Sequence, residues 1–244
     1  MSTGFADLHL HTDHSDGSDS PQAVVRYAAL MGLDVIAVTD HDTITGAIEA
    51  WTHARETKLT MGVVIGEEIS SADGHILGLF LSQLVEPGMT AAKTVDAIHD
   101  QGGLAIAAHP FWRTQARAGA IPHGVGATLL ATAGFDAVEV YNAGLTRSMA
   151  DSNRRAANCA ILLELPAVGG SDAHVREAIG SGHTRFEGYS TEDLRRSLTI
   201  GAVAPETWPL GFHAYRRYLG WALNPLRWNR TPVTPASVAE IANV

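Results

Sequence analysis

The sequence predicts an α/β fold in which mostly parallel strands close into a barrel, and three observations carry that expectation. The chain has 244 residues, within the roughly 200–250 residues that single α/β barrels commonly occupy. Short β-branched and apolar runs alternate with longer segments of helical period, the pattern of βαβ units around a largely parallel sheet. Residues able to carry chemistry recur at the ends of the short runs, as they do in barrels whose strand ends line one mouth.

The expected strands are Phe5–Leu10, Val35–Thr39, Gly62–Gly66, His75–Leu81, Leu104–Ala108, Ala137–Tyr141 and Ala167–Gly169, with helices between them. Ser20 before Pro21 reads as an N-cap with proline at the first helical position, and that helix is expected to end near Gly32. Thr43, the Thr90–His99 stretch and Thr191 open similar helices, the last with Glu192 and Asp193 in its first turn, where acidic groups suit the helix dipole. No internal repeat or Gly/Pro/Ser-rich linker divides the chain. From Pro205 the composition shifts, with Trp208, Phe212, Tyr215, Tyr218, Trp221 and Trp228 interleaved with Arg216, Arg217, Arg227 and Arg230. The expected organisation is one domain over residues 1–204 and a C-terminal aromatic and basic helical tail over 205–244. An amphipathic tail of this kind packs on the barrel or on a partner subunit, or offers its arginines to substrate phosphates or a membrane surface.

Hydrophobic residues make up 45% of the chain and charged residues 18%, the balance of a folded globule and not of a disordered chain. A formal net charge of −9 disfavours long nucleic acids as partners. Cys159 is the sole cysteine, so no internal disulfide forms, and the N-terminal residues lack the basic and apolar blocks of a secretory signal; a cytoplasmic protein is expected. Apolar stretches such as Leu104–Ala108 fall far short of the roughly 20 residues that span a bilayer.

The histidines supply the chemistry. His9 and His11 stand two apart at the end of the first expected strand, so in extended backbone both imidazoles face one side and can grip one metal ion. By itself the pair also fits two half-buried polar residues on a strand. The same residue types recur as Thr39-Asp40-His41-Asp42 after the second run, Glu67-Glu68 after the third, His75 at the start of the fourth and His109 at the end of the fifth. Glu139 lies within the sixth run and Asn142 ends it; Asp172 and His174 follow Gly169-Gly170-Ser171. Gathering so many ionisable groups at one mouth is unfavourable unless a cation neutralises and coordinates them.

Asp7-Leu8-His9-Leu10-His11-Thr12 with Ser15-Asp16-Gly17, Thr39-Asp40-His41-Asp42, Gly66-Glu67-Glu68-Ile69-Ser70, His75-Ile76-Leu77-Gly78-Leu79, Ala108-His109-Pro110 and Gly170-Ser171-Asp172-Ala173-His174 resemble, in order, the motifs of the polymerase and histidinol phosphatase (PHP) superfamily. The resemblance runs from residue 5 to about residue 200 and implies a distorted (β/α)7 barrel of the PHP type holding two or three divalent ions. Carried over residue by residue, it implies that His9, His11, Glu68 and Asp172 hold one ion, that Glu68, His75 and His109 hold a second with Glu68 bridging, and that Asp16, His41 and His174 hold a third. Glu67 is the rival of Glu68, which better fits the Gly-x-Glu-Ile-Ser pattern; His14 replaces Asp16 if its loop turns differently. Mixed imidazole and carboxylate donors suit zinc, manganese or iron better than magnesium or calcium. Asp7 and Asp40 adjoin these ligands and either orient imidazoles, Asp40 thereby serving catalysis, or cap turns.

The implied activity is hydrolysis of a phosphoester in a small phosphorylated metabolite or nucleotide, since clustered cations bind phosphate oxygens and acidify a bound water. Arg113, three residues beyond Pro110, either forks onto the phosphate as a catalytic contact or makes a surface salt bridge. Asn142, Arg147 and His123 are further substrate-binding candidates, while His14, His53, His99, His183 and His213 have no motif partner and are expected on the surface or on helices. No long inserted region separates His75 from His109, which resembles the compact stand-alone members and departs from those that act on nucleoside bisphosphates or short RNA with an inserted lid domain; the polymerase-linked form is not expected at this length. Histidinol-phosphate phosphatase, an exonuclease of short oligonucleotides and a non-catalytic metal-binding module are the alternative readings.

Overall fold

Strands form where the apolar runs are buried on both faces, as expected for parallel sheets covered by helices. The structure, a computed structural model, describes residues 2–115, 122–144 and 146–224. Its elements run β1 (Thr3–Asp7), α1 (Pro21–Met31), β2 (Val35–Val38), α2 (Thr45–Glu56), β3 (Gly62–Ser71), β4 (Gly74–Leu79), α3 (Ala91–Asp100) and β5 (Leu104–Ala107). They continue through α4 (Gly126–Thr132), β6 (Ala137–Asn142), α5 (Arg147–Leu163), β7 (Ala167–Gly170), a 3₁₀ turn (Arg176–Ala178), β8 (His183–Glu187), α6 (Thr191–Thr199), β9 (Val203–Glu206) and α7 (Phe212–Ala222).

These strands make one sheet in the order β7-β6-β5-β4-β3-β2-β1-β8-β9. Pairing is parallel between β1, β2 and β3 and between β5, β6 and β7. It is antiparallel where β4 lies between β3 and β5, and along β1, β8 and β9. The sheet curls until β1 and β7 meet: Leu10, beyond β1, forms a parallel bridge with Ala173, beyond β7. Nearby, Gly169 N in β7 donates to Thr184 Oγ1 at 3.0 Å and that hydroxyl donates back to the Gly169 carbonyl at 2.9 Å. The result is a nearly closed, distorted α/β barrel.

Three departures from the sequence expectation matter. β3 does not stop at Gly66; it runs ten residues to Ser71, because Ala72 and Asp73 turn the chain straight into β4 with no helix between. A hairpin needs only a short turn, whereas a parallel crossover needs a dozen residues or more. The Ser71 hydroxyl closes the turn, donating to the Gly74 carbonyl at 2.5 Å and accepting from Asp73 N at 3.2 Å. β8 and β9 are additional strands; Thr184 and Phe186 alternate inward against exposed Arg185 and Glu187, and Pro205, where the composition shifts, pairs with Thr184 within β9. Regular pairing in β1 ends at Asp7, although the chain stays extended to Leu10.

The alternation of β2 shows how the core divides. Val35 and Ala37 join one buried cluster with Ala6, Leu8, Val64, Leu77, Ile106 and Phe186. Ile36 and Val38 face the other way, against Val24, Val25 and Ala28 of α1 and Ala47 and Ile48 of α2. α1 starts and stops as its sequence dictates: the Ser20 hydroxyl accepts from Ala23 N, Pro21 leads, and Gly32 ends it at φ 82°. α6 carries a full capping box between Ser190 and Asp193. α2 begins at Thr45, with the Thr43 hydroxyl accepting from Thr45 N at 3.2 Å. Thr90 precedes α3, but Asp73 from the β3–β4 turn takes the Ala91 N–H at 2.8 Å.

α7 docks beside the 3₁₀ turn, where Arg217 reaches Asp19 at 3.0 Å and Glu177 at 3.2 Å. Arg227, Trp228 and Arg230 lie outside the described residues. No helix among the described residues is long and apolar enough to cross a membrane.

Phe186 is among the largest fully buried side chains, 1% exposed. Phe186→Ala is expected to lower unfolding free energy by about 3–5 kcal/mol, read from urea denaturation midpoints; a loss below about 1 kcal/mol would show that this interior does not support the barrel.

Candidate metal centre

The two halves of the barrel deliver their polar residues to one mouth. His9 and His11 lie on the extended continuation of β1, held by His11 N donating to the Ala173 carbonyl at 3.0 Å. His41 follows β2 and bridges to Glu68 of β3. β4 runs antiparallel to its neighbours, so the start of that strand, with His75, lies where parallel strands would present their ends. His109 and Asp172 follow β5 and β7 with left-handed backbones at φ 27° and φ 51°. Such conformations cost on the order of 1–3 kcal/mol in a non-glycine residue and persist where the surroundings hold them, often at functional sites.

Glu68 is the hub. Its Oε2 lies 3.0 Å from His9 Nε2, 3.2 Å from His11 Nε2 and 3.5 Å from His41 Nδ1. Its Oε1 lies 2.7 Å from His75 Nδ1 and 3.0 Å from His109 Nε2. Asp172 Oδ1 is 3.2 Å from His11 Nε2 and 3.5 Å from His9 Nε2. On the outer side, Asp16 Oδ1 sits 3.1 Å from His174 Nε2, 3.8 Å from His11 Nδ1 and 4.0 Å from His41 Nε2. Three donor groups thereby converge, each within 4.8 Å: His9, His11, Glu68 and Asp172; His41, Glu68 and His75; and His11, Asp16, His41 and His174. Donors about 2.1 Å from one ion at tetrahedral or octahedral angles stand about 3.0–3.4 Å apart, so the closer spacings suit a shared cation.

The hydrogen bonds point the same way. The Asp172 carbonyl can only accept, so His174 Nδ1, 2.9 Å away, carries the proton and a neutral ring turns the lone pair of Nε2 toward Asp16. His9 Nδ1 faces Glu139 Oε1 at 2.9 Å, so in a neutral, metal-binding ring Nε2 is the acceptor toward Glu68 and Asp172; without an ion, burial opposes the charge but Asp172, Glu68 and Glu139 raise the imidazole well above its usual range. Both ring nitrogens of His11, Asp16 Oδ1 and His109 Nδ1 are buried with no hydrogen-bond partner among the described residues. Buried acceptors facing acceptors require a proton or a metal ion between them, and mixed imidazole and carboxylate donors fit a divalent ion. The electrostatics are those of a cation trap. Burial pushes the His11 imidazole down, yet Asp172 and Glu68 lift it to about 10. Burial likewise opposes the charge on Glu68 and Asp172, but the surrounding imidazoles hold both well below the usual carboxylate range.

Glu139, given no role by the sequence, is the carboxylate that orients the ligands. Besides facing His9, it accepts from His109 N at 2.8 Å and Asn142 Nδ2 at 3.1 Å. Gly170 leaves it room: a Cβ there would meet Glu139 Oε1 at 2.5 Å and His9 Cβ at 2.7 Å. Glu67 turns away from the cluster, its Oε2 accepting from Val85 N at 3.0 Å, and burial raises its carboxyl to about 8. Strand parity decides between the two glutamates, for Glu67 shares the face of Val63 and Ile65.

Three further sequence candidates contact protein groups, and for Asp40 and Asp7 the contacts are those of the capping alternative. Asp40 orients no imidazole among the described residues; it accepts from Thr12 N and Oγ1 at 2.7 and 2.6 Å and from the Ser15 hydroxyl at 2.6 Å, bracing the loop that carries Asp16. Asp7 accepts from Ser171 N and Gly180 N at 3.0 and 2.8 Å and braces the approach to Asp172. Asn142 is buried, and its amide donates to Glu139 Oε2 and to Asp172 Oδ2, each at 3.1 Å.

A model of the PHP domain matches residues 7–142, more than half of the chain, and a PHP-associated model matches residues 150–203. The chain belongs to the PHP family. It is a metal-dependent hydrolase of that family. An uncharacterized protein of Methanocaldococcus jannaschii is 39% identical over 117 residues, covering 43% of this chain and 67% of that protein. A 5′-3′ exoribonuclease of Haemophilus influenzae is 41% identical over 87 residues, 35% of this chain, and the match spans only 31% of that enzyme. Among solved structures, a two-domain Bacteroides vulgatus protein containing a predicted PHP-like metal-dependent phosphoesterase shares the fold at a TM-score of 0.69 and 23% identity, over 84% of this chain and 65% of that one.

Around this PHP centre, Trp112 and His123 form an aromatic rim. Their rings lie 4.7 Å apart, and that of His123 is 4.8 Å from His75. Burial, with His75, His109 and Arg113 nearby, lowers His123 to about 4, which keeps it neutral at pH 7. Arg113 is exposed, stacks 4.5 Å over Trp112 and has φ 45°. Arg147 is exposed at the first turn of α5. His14 pairs with Glu49 at 3.1 Å and stays out of the three donor groups. His99 pairs with Asp136 at 2.8 Å.

If Glu139 sets the ring orientation of His9, Glu139→Gln is expected to weaken divalent-metal affinity about 10–100-fold. Competition with a chromogenic chelator measures this, and unchanged affinity would remove Glu139 from the centre.

Proposed function

We propose that this PHP protein hydrolyses a phosphoester in a small phosphorylated metabolite or nucleotide at a centre of two or three divalent ions, zinc, manganese or iron. The observation that carries the reading is the convergence of five imidazoles on the two oxygens of Glu68, with buried acceptors facing one another. Of the chain's residues, His9, His11, Glu68 and Asp172 would hold one ion. Glu68, His75 and His109 would hold a second, with His41 beside them. Asp16, His41 and His174, joined by His11, would hold a third. Such ions, when bound, supply Lewis acidity toward phosphate oxygens and acidify a water molecule.

The protein residues do the positioning. Glu68 offers each oxygen to a different set of imidazoles, as a bridging carboxylate must. Glu139 keeps the Nδ1 proton of His9 away from the centre, and the Asp172 carbonyl does the same for His174. Burial of the donors excludes bulk water, which strengthens each charged contact. At the rim, Arg113, stacked over Trp112, would fork onto a phosphate, with neutral His123 as a hydrogen-bonding partner; Arg147 is a further candidate. The net charge of −9 supports a small substrate over a long polyanion.

The test is a panel of phosphomonoesters, phosphodiesters, histidinol phosphate and short oligonucleotides, assayed with protein loaded in turn with manganese, zinc and iron. Hydrolysis is expected for at least one class, and His9→Ala and Asp172→Ala are each expected to reduce it more than about 100-fold. Glu67→Gln is expected to keep activity and Glu68→Gln to lose it. A folded, metal-loaded protein that cleaves nothing on the panel contradicts the proposal.

Removing the ions is expected to destabilise the fold. Each ion binds only the folded arrangement, so a free concentration 100 times its Kd adds about 2.7 kcal/mol. A melting temperature unchanged by chelation would show that the donors hold no ion.

A further inference from the structure

A cavity of about 520 Å³ lies between α7 and the loop that carries Asp16, large enough for a small organic ligand. Asp16, Ser18 and Val175 line its barrel side, and Arg216, Arg217 and Trp221 its helical side. The cavity adjoins the metal centre. Asp16 belongs to the outer donor group, the Trp221 ring lies 4.2 Å from that of His174, and Trp221 Nε1 donates to the Asp16 carbonyl at 2.5 Å.

The cations on this wall differ in their commitments. Arg217 is held by Asp19 and Glu177, and His213 stands 3.7 Å from Glu177. Arg216 is exposed and has no acidic partner among the described residues. Val175 and Trp221 add apolar surface to the same lining, Trp221 on the side of the centre. Helix α7 lies beyond the matched family segments, residues 7–142 and 150–203, so its side of the cavity is a candidate source of selectivity.

We propose that the cavity takes the leaving group of the phosphoester substrate, that this group carries a second acidic function across a short apolar spacer, and that Arg216 binds that function. The proposal rests on the phosphoesterase reading above. A proposed cation centre on one wall and, on the other, a guanidinium with no acidic partner among the described residues suit a ligand anionic at both ends, and a guanidinium forks readily onto carboxylate or phosphate. Trp221 is a positioning residue here: it fixes the Asp16 loop against His174 and sets the wall along which the spacer lies.

Two matched ladders of substrates test this on the manganese-loaded protein: n-alkyl phosphates and ω-carboxyalkyl phosphates with spacers of two to six methylenes. The wild type is expected to prefer the carboxylated member by about tenfold or more in kcat/KM at one spacer length. Arg216→Ala is expected to cut that preference below about twofold, chiefly through KM, and Arg216→Lys to keep part of it. Arg154→Ala, on the exposed face of α5, is expected to leave the preference intact. Hydrolysis of both ladders with no preference at any length overturns the proposal, as does a preference that survives Arg216→Ala. Hydrolysis of neither ladder nor any ester of the wider panel overturns the phosphoesterase reading and this inference together.

Discussion

Five imidazole nitrogens within 3.5 Å of one buried carboxylate, Glu68, form the arrangement around which the rest of this barrel is organised. A buried acceptor costs folding free energy unless something donates to it. Here the other ring nitrogens of His9 and His174 are already committed to Glu139 and to the Asp172 carbonyl, so their remaining lone pairs face carboxylate oxygens. Protons can fill such gaps only by charging several adjacent rings at once: the carboxylates raise His9, His11 and His109 against burial, whereas burial, with His11 and His75 adding to it, pushes His41 down, so the rings do not all take up a proton together. Divalent cations would relieve the conflict with fewer centres of charge.

The fold's irregularities serve the same arrangement. A uniformly parallel barrel would bring only strand ends to the mouth; the β3–β4 hairpin lets β3 carry Glu68 and β4 return His75 across from it. The left-handed backbones of His109 and Asp172 aim their side chains inward just beyond β5 and β7. Gly170 is required because Glu139 and His9 fill the space where a side chain would stand. Asp7 and Asp40, both fully buried, tie down the loops on either side of the ligands. Catalytic precision in such a site rests on groups that never touch substrate.

Much of this was legible in the sequence because it rests on local periodicity. The spacing of His9 and His11, the apolar runs of β2 and β5, and the Ser20-Pro21 start of α1 each express a rule that acts within a few residues. The parity of β3 also separates Glu67 from Glu68 once Val64 is recognised as barrel interior. What escaped depends on partners distant in sequence. Asp40 reads as a ligand's neighbour until Thr12 and Ser15, 28 and 25 positions away, are seen to occupy it. Glu139 meets His9, 130 positions away, and the Asn142 amide is taken up by Glu139 and Asp172. β8 and β9 are short, and Pro205 in β9 counts against a strand unless it pairs at an edge.

Cations are expected between the nitrogens of His9, His11 and His75 and the oxygens of Glu68. Anomalous diffraction from crystals of the manganese-loaded protein near neutral pH tests that most directly. The predicted result is two or three anomalous peaks, two of them on opposite oxygens of Glu68 and, if a third is present, one between Asp16 and His174. Crystals saturated with manganese that show no peak at Glu68, with the imidazoles hydrogen-bonded directly to its carboxylate, would contradict it.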